Sequence, residues 1–243
     1  MENSRKRRID TVLFDFDGTL MDTNDVILES WQYTFEQLLG HRTDTKTLLA
    51  TFGEPLKMTM YNFFGGTKEE VDRNVEIYRS YQKEYFLDMI HLFPGVYEML
   101  KAVRGAGFKT ALVTSRLKPT TYQGIEKFGI EQFFDAVITA DDVTKHKPDP
   151  EPILITLEKL GSQAENAVML GDTKQDILCA KNAGVTSVLV DWSMAIPKGT
   201  ASGEYVPDFC LESPKKLIDL ISTIDDAKEA APAAKEKVPV GKE

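Results

Sequence analysis

An α/β fold with a doubly wound, mainly parallel sheet and an inserted α-helical cap domain is predicted by three observations. Short β-branched runs alternate with helix-period segments along most of the chain. Carboxylates, hydroxyls and a lysine cluster where several of those runs end. One interval of about 70 residues breaks the alternation with helical patterning alone.

The elements follow in order. Residues 1–8 carry Arg5, Lys6, Arg7 and Arg8 and read as a solvated basic arm, because the apolar run behind them is short and broken by Asp15, unlike a signal-peptide core. The α/β core is expected over 9–21 and 93–224, and the helical cap over 22–92. In the cap, apolar residues recur at helical spacing at Trp31, Phe35, Leu38 and Leu39, then at Val71, Val75, Tyr78, Tyr81 and Tyr85. At such spacing Trp31, Tyr33 and Phe63 are expected in the cap interior rather than on a partner surface. The core strands are expected at 11–16, 109–114, 136–139, 167–170 and 186–190, with a weaker one at 208–211. Helices are expected at 96–104, 119–128, 151–160, 174–183 and 214–222, two of them closing near Gly161 and Gly184. Residues 225–243 mix Ala, Lys and Glu without apolar periodicity and predict a tail lacking fixed structure.

Composition narrows the function. The formal charge of −9, from 29 cations and 38 acids, opposes a nucleic-acid partner, whose phosphates are held by clustered cations. An anionic ligand on such a chain needs a metal ion to offset repulsion. No stretch approaches the roughly 20 apolar residues of a membrane span. Cys179 and Cys210 have no CxxC spacing, so neither a disulfide framework nor a zinc site is supported and a reducing cytoplasm is expected.

The chemistry gathers at four points. Asp15-Phe16-Asp17-Gly18-Thr19 closes the first strand, and alternate strand residues project to one side, so two carboxylates leave the sheet together. Like charges this close imply a shared proton or a bound cation, although an isolated Asp-Gly turn in solvent also fits the motif. An EF-hand is excluded, since its Gly stands sixth and Gly18 comes fourth. Thr114 and Ser115 end the second strand with hydroxyls and following N–H groups suited to phosphate oxygens, or form a simple turn. Lys147 precedes Pro148, which biases it to an extended backbone just before a helix; alone, it reads first as a surface lysine. Gly171-Asp172 ends another strand, with Asp176 four residues on at one face of the next helix start, where Asp172 is also a plausible N-cap. All four lie in order at strand ends, where open α/β sheets bind ligands.

Taken together, these motifs resemble those of the haloacid dehalogenase-like phosphohydrolases, over about residues 9–220. The resemblance implies a Rossmann-like core and a Mg²⁺-dependent hydrolase of a small phosphorylated metabolite. It implies Asp15 as the nucleophile forming an aspartyl-phosphate, Asp17 as general acid and base, and Thr114 and Lys147 as neutralisers of the phosphoryl oxygens. Gly18 and Ser115 join Thr114 and Lys147 as phosphate-binding candidates. The implied metal ligands are Asp15, the Asp17 carbonyl and Asp172, with Asp176 reaching the ion through water or orienting Lys147. Dehalogenase and phosphonate-cleaving members lack an acid at the Asp17 position, which disfavours both activities.

The insertion resembles the family's small helical cap, which leaves room for small molecules and disfavours protein substrates. Within it, Phe52-Gly53-Glu54-Pro55-Leu56-Lys57 resembles a pocket-lining segment, making Gly53, Glu54 and Lys57 substrate candidates, although Lys57 by itself reads first as a solvent-facing lysine, and Arg116 is a further candidate for the substrate's non-reacting end. Phe93-Pro94-Gly95-Val96-Tyr97-Glu98 and the stretch from Asp141 to Pro152 resemble the phosphoglycolate phosphatase group, particularly its inorganic-pyrophosphatase branch. Phosphoglycolate or pyrophosphate is therefore the expected substrate. A β-phosphoglucomutase-like transferase shares cap and motifs and is the alternative; a non-catalytic binding protein would have no reason to keep Asp15, Asp17, Lys147 and Asp172 together.

Overall fold

The structure, a computed structural model, describes residues 9–230. The basic arm expected at 1–8 and positions 231–243 of the expected tail lie outside the described residues.

The chain begins with β1 (Thr11–Phe14), a fully buried strand, as befits the middle of a parallel sheet covered on both faces. A short strand β2 (Met21–Asp22) leads into the cap helices α1 (Asn24–Leu39), α2 (Thr45–Leu49), α3 (Leu56–Phe64) and α4 (Lys68–Met89), and β3 (His91–Leu92) leads out. The core then alternates α5 (Val96–Gly105), β4 (Lys109–Val113), α6 (Lys118–Lys127), β5 (Ala136–Ile138), α7 (Glu151–Leu160), β6 (Ala167–Gly171), α8 (Lys174–Asn182), β7 (Thr186–Val190), β8 (Phe209–Leu211) and α9 (Leu217–Ala230). The six-stranded sheet runs β5-β4-β1-β6-β7-β8 with every pairing parallel, and β1 is registered between β4 and β6.

Strand alternation separates two cores. Val12 and Phe14 face Val96, Leu100 and Val103 of α5, Ile125 of α6 and Leu217, Ile221 and Ile224 of α9. Leu13, Ala111 and Met169 face Ile153 and Leu157 of α7 and Cys179 and Ala180 of α8. The cap has a third core of its own, in which Trp31 and Phe35 of α1 meet Met60, Val71, Val75 and Tyr78. Trp31 stacks at 5.3 Å from Phe63 and 5.0 Å from Tyr78, and Tyr33 at 5.3 Å from Tyr81, so all three aromatics serve packing within the cap. Leu39, expected on the apolar stripe, is exposed instead. The long helix α4 opens on a capping box between Thr67 and Glu70, which satisfies two of its unpaired N–H groups.

Three expectations change. The first strand stops at Phe14 rather than residue 16, because Phe16 O accepts from Leu20 N and Met21 N in a tight turn through Gly18, φ +72°. The interval thought to hold only helices is bounded by an antiparallel ribbon, Met21 opposite Leu92 and Asp22 opposite His91, too short to leave a periodic signal. Residues 225–230, placed in the tail by composition, continue α9: Asp225 Oδ1 accepts from Ile9 N at 2.8 Å, and the helix-favouring Ala227, Lys228, Glu229 and Ala230 propagate a helix nucleated by buried Leu217, Ile221 and Ile224. Cys179 and Cys210 are free thiols, and among the described residues no helix is long and apolar enough to cross a membrane.

Candidate active site

The carboxyl ends of β1, β4 and β6 meet at one edge of the sheet, the place where strand order reverses direction about β1. Asp15 follows β1 directly, its N–H still donating to Leu170 O at 2.9 Å, so the neighbouring strand fixes where the carboxylate leaves the sheet. Thr114 follows β4 in the same way, donating to Ile138 O at 2.9 Å. Asp172 follows β6. The chain between β5 and α7 carries Lys147, whose peptide bond to Pro148 is cis.

Lys147 is the hub. Its Nζ, 5% exposed as a residue, donates to Asp15 Oδ1 at 2.8 Å, Asp176 Oδ1 at 2.6 Å and Val113 O at 2.7 Å, using all three ammonium protons. Asp176 is aimed by its helix: Thr173 caps α8, and Asp176 Oδ2 accepts from Thr173 N at 3.0 Å and Thr173 Oγ1 at 2.6 Å. The cap of α8 is therefore Thr173 rather than Asp172. Asp172 is left to the site, with Oδ2 accepting from Ser193 Oγ at 2.6 Å and Oδ1 buried without a hydrogen-bond partner. Gly18 lies so close that a Cβ there would stand 1.9 Å from Asp172 Oδ2, which only glycine permits.

Three buried carboxylates, Asp15, Asp172 and Asp176, offer oxygens within 4.8 Å of one another around one ammonium. Electrostatics follows from that imbalance. Burial pushes Asp15 up, Lys147 pulls it down, and Asp176 and Asp17 push it up again, leaving its pKa at about 8. Asp172 rises well above the usual carboxylate range, through burial first and then Asp176 and Asp15. Burial works against the Lys147 charge, yet Asp15 and Asp176 outweigh it and its pKa is raised. An all-oxygen donor set carrying excess negative charge, with one carboxylate oxygen otherwise unpartnered, fits a hard divalent cation such as Mg²⁺.

The remaining candidates fall into three groups. Asp17 borders the cluster but turns to Arg116, whose Nη2 donates to its Oδ1 at 2.7 Å. Thr114 is buried and accepts from Arg116 N at 3.1 Å, whereas Ser115 is exposed. From the cap, Gly53 (φ +80°) lies against Thr173, where a Cβ would stand 2.6 Å away, and Glu54 pairs with Lys174 at 3.2 Å, so this loop meets the start of α8. Lys57 does not join them: its Nζ pairs with Asp72 of α4 at 2.5 Å on the exposed cap surface. Arg116, expected at the substrate's far end, has its side chain enclosed and engaged with Asp17.

Ser193, Thr173, Gln82 and Phe86 were not singled out by sequence. Ser193 follows β7 at the same sheet edge, and that position was the available signal. Gln82 and Phe86 sit in mid-helix on α4 and reach Arg116 only through docking of the cap, which leaves no local pattern.

The family model described as haloacid dehalogenase-like hydrolase matches residues 12–190. Pyrophosphatase PpaX of Halalkalibacterium halodurans is 35% identical over 213 residues, covering 88% of this chain and 97% of the relative. Its counterpart from Bacillus velezensis is 36% identical over 216 residues, covering 88% and 96%. Among solved structures, the haloacid dehalogenase-like family hydrolase SP0104 from Streptococcus pneumoniae superposes with a TM-score of 0.77 at 26% identity, covering 88% of this chain and 98% of that one. The chain belongs to the haloacid dehalogenase-like hydrolases and is a phosphatase of that family.

Proposed function

We propose that the protein is a Mg²⁺-dependent hydrolase of inorganic pyrophosphate that works through an aspartyl-phosphate on Asp15. The observation that carries this reading is the buried Asp15 carboxylate, held by Lys147 at the head of the central strand beside a second, partly open carboxylate, Asp17. Relatives described as pyrophosphatases, matched over nearly their full length, support the choice of substrate.

An Asp15 oxygen attacks one phosphorus, forming a P–O bond as the bond to the leaving phosphate breaks, and Asp17 gives that leaving oxygen its proton. Asp17 then takes a proton from water, whose oxygen attacks the phosphorus and returns Asp15 as a free carboxylate. Lys147 holds Asp15 in line and lends its positive charge beside the phosphoryl oxygens where charge accumulates, while the Thr114 hydroxyl is left to donate to them. Asp15, Asp172 and the Asp17 carbonyl would hold Mg²⁺, with Asp176 supporting from behind through Lys147; when bound, the ion supplies charge neutralisation and orientation of the phosphoryl group. The cap loop around Gly53 lies against Thr173 at the start of α8, a placement that supports small substrates.

Phosphate release from pyrophosphate, phosphoglycolate and β-glucose 1-phosphate, with Mg²⁺ and with EDTA, tests the reading. Pyrophosphate is expected to be hydrolysed fastest and only with the metal. Preference for phosphoglycolate would reassign the substrate, and glucose 6-phosphate formed without free phosphate would make the enzyme a mutase.

Metal binding carries a further expectation. Because Asp15 and Asp172 hold protons more tightly than ordinary carboxyls and Mg²⁺ takes only their ionised forms, binding at pH 7 should release at least one proton and weaken by about tenfold per pH unit below about 8. Calorimetry in two buffers of different ionisation enthalpy counts that proton; a count of zero would contradict the protonated state of the metal-free cluster.

A further inference from the structure

Lys147 holds Asp15 and Asp176 and Ser193 holds Asp172, which leaves Asp17 to a different partner. Arg116 holds it: Nε lies 3.1 Å from Oδ1 and 3.0 Å from Oδ2, and Nη2 lies 2.7 Å from Oδ1, so the guanidinium grips both oxygens. The Arg116 side chain is 7% exposed while that of Asp17 is 27% exposed. The fork is shut in, and part of the carboxylate still faces the open site.

What shuts the fork in is the cap. The ring of Phe86 lies 4.4 Å from the guanidinium carbon, and Gln82 Oε1 accepts from Nη1 at 3.3 Å, both residues belonging to α4. Gln82 is steadied in turn, its Nε2 donating to Tyr78 Oη at 3.1 Å within the cap core. On the other side Phe16 stands 5.8 Å away, and the Arg116 backbone is tied to the sheet edge, N donating to Thr114 Oγ1 at 3.1 Å and O accepting from Ala140 N at 3.0 Å. One residue thus touches Asp17, Thr114 and the cap helix.

We infer that Arg116 is a positioning residue that aligns the Asp17 carboxylate for proton transfer, and that it does so when α4 is seated, because Phe86 and Gln82 fix the guanidinium from the cap side. Cap docking and alignment of the acid/base are then a single event. A guanidinium so enclosed and already engaged is poorly placed to anchor the far end of a substrate, and its effect belongs in kcat rather than KM. The inference rests on the reading of Asp17 as the proton carrier.

The test uses the full chain and steady-state phosphate release from the best substrate, with wild type alongside. Arg116→Ala is expected to lose about 10²-fold in kcat, the range of a general acid/base contribution, with KM changed less than about threefold. Arg116→Lys is expected to recover little, since an ammonium cannot grip both oxygens at once. Free guanidinium at about 20 mM is expected to restore the kcat of Arg116→Ala about tenfold by filling the slot beside Phe86, while ammonium at equal concentration does not. Gln82→Ala, on the cap surface of the contact, is expected to lower kcat about threefold to tenfold with a near-normal melting temperature. Unchanged kcat in Arg116→Ala, a loss confined to KM, a loss in folded protein that guanidinium fails to reverse, or unchanged kcat in Gln82→Ala would each overturn the inference. A wild type silent toward every substrate would instead fail the underlying reading, and this inference with it.

Discussion

Asp15→Asn is expected to lower turnover by about 10⁴-fold or more, as loss of a nucleophile does, in a protein that melts no lower than wild type. The two halves of that expectation have separate causes. Asn keeps the shape and accepts from Lys147 but cannot attack phosphorus. Burial and the neighbouring Asp176 and Asp17 already hold the Asp15 carboxyl near a pKa of about 8, so the neutral Asn replaces a group that is largely uncharged in the metal-free protein. Lys147 retains Asp176 at 2.6 Å. Phosphate release and thermal melting of the metal-free variant check both; activity within tenfold of wild type would remove Asp15 from the role of nucleophile.

Lys147→Ala should produce the largest combined loss. Its ammonium joins Asp15, Asp176 and Val113 O, so truncation leaves two carboxylates and a carbonyl facing one another in a buried space. Breaking a buried ion pair from one side costs about 3–5 kcal/mol, which for a domain of this size corresponds to a fall in melting temperature of about 6–20 °C. Kinetically, losing one preorganised cation at the phosphoryl oxygens is worth about 10²–10³-fold in kcat. Because the truncated cluster is more negative, Mg²⁺ should raise the melting temperature of the variant by more than it raises that of wild type. Calorimetry with and without Mg²⁺ measures this; a smaller metal-induced shift in the variant would contradict shared neutralisation of Asp15 by Lys147 and the cation.

The site was legible in sequence where chemistry coincides with strand ends. Asp15, Thr114 and Asp172 each follow a buried β-branched or apolar run, and a strand's alternation and end are local properties that survive without tertiary information. Lys147 and Asp176 came from the same ordering, and the structure joins them through hydrogen bonds no spacing could specify. Arg116 was placed in the neighbourhood by its position after Thr114, but its partner was not, since the bidentate contact with Asp17 spans 99 residues of chain. Lys57 illustrates the opposite case: in the first turn of a cap helix, a lysine faces whichever acid the packing offers, and here that is Asp72 of α4 in a solvent-exposed pair that water and salt screen. The helical run at 225–230 was hidden because a polar run of Asp, Ala, Lys and Glu without apolar periodicity suits either a solvated tail or a helix extended from a docked start.

The covalent role of Asp15 is the claim on which everything else depends, and rapid acid quench with radiolabelled pyrophosphate and excess enzyme tests it most directly. Within a single turnover, label should appear on the protein, map to the peptide holding Asp15, be discharged by hydroxylamine, and be absent from Asp15→Asn. Product formed at the full rate with no labelled protein at any time, or label mapping to another residue, would contradict it.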